Sequence, residues 1–270
     1  MRQILTHEDL IKYAPVEYAR LKNAFGEDYD LMNKTNDMSI RLKDVESRFT
    51  KLRYKLGNKI MGITHDLLEI EIKFERWDSK NKKWKLIRII PGQSYTEALS
   101  EMWYMNMAGQ AGINILDVNN VERAWAPNSS GIDTIQDGWM NCWALRADTA
   151  AGTTSQLFGI LIGTGSGAVG LTNFDLETQL TTNWIYAIMT LVSDTTINGQ
   201  SLEISISRLF RNTTGSQVTV EEVGLAGVGE YSALSQDDSI FLWERSLSGG
   251  FVVETAETMR VTYTLKVTAA

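Results

Sequence analysis

The side chains able to do chemistry are few in this chain, and their spacing argues against a reaction centre. His7 and His65 are the only histidines and Cys142 is the only cysteine. Both histidines belong to the N-terminal segment, so a Cys142–His dyad would need a long-range arrangement of which the sequence gives no sign. A lone cysteine also forms no intrachain disulfide and builds no cysteine metal site. Asp133 and Asp137 lie four positions apart in a glycine-rich stretch. They could hold a cation weakly, but a solvated loop is the better reading. Glu221 and Glu222 fall on opposite sides of any strand that contains them, so one carboxylate must face inward. That one needs a buried partner, for which Arg208 or Arg211 would serve. Paired acids also run glycoside hydrolysis, but that chemistry wants a cleft with aromatic sugar platforms, which the sequence does not locate.

The sharpest motif is Gly165, Gly167 and Gly170, which satisfies G-x-G-x-x-G directly after the apolar run Leu157 to Ile162. A dinucleotide site needs more than this, namely a helix whose N-terminus receives the pyrophosphate inside a βαβ unit. The following Leu171-Thr172-Asn173-Phe174-Asp175 does not start an amphipathic helix, and no Gly-Lys-Ser/Thr makes a phosphate loop. The cluster therefore reads as a structural glycine loop. The expectation is a non-enzymatic chain with no cofactor, no metal and no catalytic residues.

The elements that would carry these residues are mostly strands. Leu202 to Ile206 and Val261 to Val267 alternate apolar and polar side chains, as half-buried antiparallel strands do. Val261, Tyr263, Leu265 and Val267 are assigned to the buried face of a closing strand. Asn212-Thr213-Thr214-Gly215 and Ser248-Gly249-Gly250 supply turns. Leu68, Ile70, Ile72 and Phe74 give an earlier strand with one dry face, and Trp77 to Trp84 a polar hairpin tip whose two tryptophans could pair across the strands. Ser94-Tyr95-Thr96-Glu97 has the form of a capping box, predicting a helix near 95–107. The fold class expected is mainly β, an antiparallel β-sandwich with one inserted helix over residues 64–270.

Residues 1–63 read differently, as a helical, basic N-terminal arm. Thr6 to Glu8 offers a helix start, with a short helix running to Ala24 before Gly26. Met38, Leu42, Val45, Phe49, Leu52 and Leu56 then form a seam at heptad spacing, flanked by cations that include Arg48, Lys51 and Lys55. The seam lasts under three heptads, too short for a confident coiled coil, so the helix needs a partner subunit or its own domain to form.

Charge follows the same division. Residues 1–90 carry 19 Lys and Arg against 14 Asp and Glu, while 91–270 carry 7 against 19. The front can thus meet an acidic partner, including the acidic domains of neighbouring copies. Nucleic acid contact through the basic arm is possible but not favoured, since Lys and Trp interleave only at the hairpin tip. No apolar run reaches the roughly 18 residues of a membrane span, and the start Met1 to Tyr13 lacks the apolar core of a signal peptide. No membrane contact is expected.

The order of motifs resembles structural proteins of tailed bacteriophages. The elements are Pro91-Gly92-Gln93-Ser94-Tyr95 before a helix, Ile160-Leu161-Ile162-Gly163-Thr164-Gly165, and Arg208 to Asn212 leading into Val218 to Leu225. Leu242-Trp243-Glu244-Arg245 and the closing Glu257 to Leu265 complete the series. The resemblance covers residues 66–268 and implies a virion component of neck, tail or capsid-accessory type, assembled in the host cytoplasm. Its implied partners are copies of itself and other virion proteins, and it transfers no catalytic residues. The competing expectation is an adhesin-like β module that binds a glycan or host surface through loops around Trp125, Trp139 and Trp143.

Overall fold

In the computed structural model, residues 11–12, 15–33, 68–99, 113–125, 156, 159–187, 190–198, 201–230 and 238–268 are described. The seam at 38–56, the larger part of the helix expected near 95–107, and His7, His65, Asp133, Asp137, Trp139, Cys142 and Trp143 fall outside them. Two antiparallel sheets pack face to face, as the alternation predicts. Sheet A joins β2 (Lys83–Pro91), β1 (Leu68–Asp78), β12 (Thr258–Thr268) and β9 (Ser201–Asn212) in that order. On the far side of β9 lie β7 (Trp184–Tyr186), against residues 210–212, and β8 (Thr190–Asn198), against residues 201–207. Sheet B runs β3 (Ser94–Tyr95), β11 (Asp238–Val253), β10 (Val218–Glu230) and β6 (Gly159–Gly163). A separate hairpin pairs β4 (Ile113–Leu116) with β5 (Glu122–Trp125).

The core between the sheets is built from the dry rows read in the sequence. Ile70, Ile72 and Phe74 of β1 meet Val261 and Tyr263 of β12, Ile206 and Phe210 of β9, and Val223, Leu225 and Phe251 of sheet B. Leu265 is partly buried against this core. Thr262, assigned by period to a wet face, is buried as well, as are Ser205 and Ser207 on β9. Sheet A is covered on both faces, which alternation alone does not reveal.

Part of that second cover is the N-terminal segment. Helix α1 (Pro15–Phe25) and the single turn α2 (Tyr29–Met32) place Leu21, Phe25, Tyr29 and Met32 against Trp77, Trp84, Leu209 and Ala187. The two tryptophans face each other across the hairpin at 5.1 Å, edge to face, as expected from their positions. Trp84 Nε1 donates to the Met32 carbonyl at 2.8 Å, and the Arg260 guanidinium lies over the Trp84 ring. Residues 15–33 are therefore packed on the sandwich of their own chain. The apolar side chains of this part of the expected arm are thus covered within the subunit, while the seam at 38–56 lies outside the described residues.

One local expectation fails. Ser94 and Tyr95 form the short strand β3 beside Glu244 and Arg245, and helical backbone begins only at Glu97. Ser94 Oγ donates to the Tyr95 carbonyl and the buried Thr96 hydroxyl to the Leu242 carbonyl. The residues of the proposed capping box are used to fasten this segment to β11.

Candidate functional site

The glycine loop after β6 surrounds a carboxylate. Glu222 of β10 is 0 % exposed and carries four donors. Its Oε1 accepts from Gly165 N at 3.0 Å and Thr178 N at 2.8 Å, its Oε2 from Glu177 N at 3.1 Å and Arg245 Nε at 2.7 Å. Arg245, also buried, extends to the Ala168 carbonyl at 3.2 Å and to Glu177 at 3.4 Å. Glu177 in turn accepts from Gly167 N at 2.6 Å. The amides of Gly165 and Gly167, which in a phosphate loop would point at a ligand, here point at the protein's own carboxylates. A Cβ on Gly165 would fall 2.5 Å from Glu222 Oε1, so close approach requires glycine there. The loop is a socket for Glu222, in line with the structural reading of the motif.

Glu222 is the inward carboxylate expected of the 221–222 pair, but its partner differs from the expected one. Arg211 donates to the Ala24 carbonyl in α1. Arg208 turns into the core, donates to the carbonyls of Ala187 and Ile160 at 2.7 and 3.0 Å, and lies over the Tyr186 ring. Burial pushes its pKa down to about 10. The partner is Arg245, set opposite Gly224 on the neighbouring strand.

A second buried carboxyl, Glu244, sits where three elements meet. Tyr263 of β12 donates to its Oε2 at 2.7 Å, Ser246 donates to Oε1, and Gln93 N approaches Oε1 at 3.3 Å. These donors are neutral. Burial raises its pKa to about 7, against which the hydrogen bonds from Ser246, Tyr263 and Gln93 work. A third buried carboxylate, Glu75, pairs with Arg260 at 2.6 Å and ties β1 to β12 beneath α2.

The surface offers one notable concavity among the described residues. A half-open cleft of about 190 Å³ is lined by Glu97, Ile115, Leu116, Glu122, Leu171 and Phe174, among others. Leu171 is 63 % exposed at its rim, and Leu116 and the nearby hairpin residue Val121 are exposed too. The cleft is thus mixed in character, its apolar side chains interspersed with Thr172, Asn173 and two carboxylates. No group of His, Cys, Asp and Glu capable of holding a metal occurs among the described residues.

Of the residues singled out as attachment positions, Met38, Leu42, Val45, Arg48, Phe49, Lys51, Leu52, Lys55 and Leu56 all lie outside the described part, as do the aromatic loops around Trp125, Trp139 and Trp143 apart from the Trp125 backbone. The cluster that sequence reasoning missed is Glu244, Ser246, Tyr263 and Gln93. Its only signal was a glutamate at an otherwise apolar position between Leu242 and the 261–265 dry row. No protein family matches this chain, and no curated protein or solved structure is significantly similar to it.

Proposed function

We propose that this protein is a non-enzymatic structural component of a tailed-phage virion, of neck, tail or capsid-surface type, which assembles as a symmetric homo-oligomer through its β domain. The observation that carries the reading is how the charged groups of the interior are employed. Glu222, Arg245, Glu75, Arg260 and Arg208 each join strands or loops to one another, and Leu116, Val121 and Leu171 are exposed at or near the cleft rim beside Glu97 and Glu122. Rigid scaffolds with an exposed apolar patch are suited to binding another protein surface.

The sheet edges favour contact through faces. β2 is an edge strand, but it carries Lys83, Lys85, Arg88 and Pro91 and a bulge opposite Phe74 and Glu75, the devices that discourage strand pairing between molecules. The outer edge of β6 is occupied as well, since Ile162 O accepts from Leu180 N and Ile160 O from Arg208. Copies are therefore expected to meet at the cleft rim of Leu116, Val121 and Leu171, where Glu97 and Glu122 complement the basic, apolar sequence at 38–56 of a neighbour.

Native mass spectrometry with electron microscopy of the full chain tests this. Symmetric oligomers that dissociate on Leu171→Glu, and on reversal of charge at Arg48, Lys51 and Lys55, support it. A monomer that binds glycans would replace it with the adhesin reading.

A further inference from the structure

The outer edge of β11 is closed in an unusual way. Instead of one long neighbouring strand, separate short contacts cover it in sequence. Val118 N donates to the Ile240 carbonyl and Thr96 N to the Trp243 carbonyl. Strand β3 pairs with Glu244 and Arg245, and the Gln93 side chain exchanges bonds with the backbone of Leu247. Residues 92–96 supply most of this cover, and Glu244 stands at its middle.

We infer that Glu244 is a proton-controlled clasp, which in its neutral form holds residues 92–96 against β11 and β12 and on ionisation lets them go, uncovering the β11 edge. The neutral carboxyl is well served by its surroundings. The hydroxyls of Ser246 and Tyr263 can each donate to it or accept its proton, and Gln93 N is shared between Glu244 and Ser246 Oγ, the latter at 2.8 Å. An ionised carboxylate would keep these three neutral donors but gain no cation, too little to offset the burial of its charge. Tyr263 of β12 and Tyr95 of β3 are the titratable groups on this side, and burial beside Glu244 raises the Tyr263 pKa further. From β1 and β10 the neighbours are Ile70 and Leu225, both apolar. Arg245, next along β11, turns to the opposite side and is committed to Glu222. The approach is also close: a Cβ on Gly92 would lie 3.5 Å from Glu244 Oε1 and 2.7 Å from the Ile70 Cβ. The clasp therefore has little room to admit water without moving the 92–96 segment.

Amide hydrogen exchange on the full-length protein, with labelling times scaled to the intrinsic rate at each pH, reads this directly. Between pH 6 and pH 8.5 the amides of 92–96 and 243–247 should lose protection by about tenfold or more, since each pH unit above the midpoint changes the ionised ratio tenfold. The β9 and β12 amides should keep theirs. Glu244→Gln, neutral at every pH, should abolish the change. Tyr263→Phe removes a donor that favours the ionised form and should move the release to higher pH. A flat wild-type profile overturns the inference, and so does a Glu244→Gln profile that follows wild type. If Glu244→Gln does not fold, the direction of the Tyr263→Phe shift decides, and a move to lower pH would count against the clasp.

Discussion

Removing the Glu222 carboxylate should be among the most damaging single changes to this protein, and more damaging than removing its ion-pair partner. In Glu222→Ala the amides of Gly165, Glu177 and Thr178 lose their acceptor and Arg245 is left with contacts of 3.2 to 3.4 Å. A buried donor left without its partner costs about 1 to 3 kcal/mol, and a buried charge left alone about 3 to 5 kcal/mol. Because the loop relaxes and water enters, the costs do not add fully, and the expected loss is about 5 kcal/mol. In Arg245→Met the carboxylate keeps its three amides, so about 3 kcal/mol is expected. Urea denaturation followed by circular dichroism gives both values, provided the slope is unchanged. Glu222→Ala at under about 1 kcal/mol, or Arg245→Met costing more than Glu222→Ala, would mean that the amide socket does not carry the carboxylate. Gly165→Ala is the matching test from the other side, since its new methyl would lie only 2.5 Å from Glu222 Oε1 and closer still to Glu177 Cβ.

Further outcomes can be measured with the same method. Glu244 has a folded pKa of about 7 against an ordinary 4.5, so the native state binds the extra proton and its contribution to stability is complete below about pH 4.5. That contribution is lost as pH rises through 7, by about 3 kcal/mol at 1.36 kcal/mol per pKa unit, and a denaturation midpoint that does not fall over this range would contradict it. Trp84→Ala should cost about 3 to 5 kcal/mol by removing the ring packed on Trp77 and Arg260, and should detach α1 and α2, seen as lost helical ellipticity. On β12, Val261→Ala should cost about 1 to 3 kcal/mol, whereas Thr264→Ala, which loses a 2.9 Å bond to Ser205, should cost about 1 kcal/mol in equilibrium unfolding.

The parts of the fold legible in the sequence are those governed by local period. Ile70, Ile72 and Phe74 alternate with charged residues, and the strand they predict is present with that face inward. Trp77 and Trp84 announce their own pairing by flanking a polar tip. Illegible were the features that depend on distant neighbours. Glu222 finds its arginine 23 positions away and Glu75 its own 185 positions away, and no spacing rule selects Arg245 over Arg208. Thr262 and Ser207 look wet because they are small and polar, yet they are buried on a sheet covered on both faces. A short helix ending near Ala24 was readable, but that its Leu21 and Phe25 are covered by the chain's own sheet depends on Trp84 and Leu209 lying where β2 and β9 bring them. Ser94 lost its capping role for a similar reason, because the edge of β11 competes for the same residues.

The position of β12 between β1 and β9 has a consequence for synthesis. A ribosome adding about 5 to 20 residues per second needs roughly 10 to 40 seconds to proceed from Glu75 to Arg260, the two ends of one ion pair. During that interval β1 presents an open edge beside an apolar row, and β9, once made, presents another, with no strand between them. Sheet A can close only after release of its central strand from the exit tunnel, so its folding is governed by a few very long-range contacts and is intrinsically slow. Chains halted before Thr258 would carry two unpaired edges in place of a sealed sheet, making nascent protein, more than the finished molecule, the natural client of chaperones.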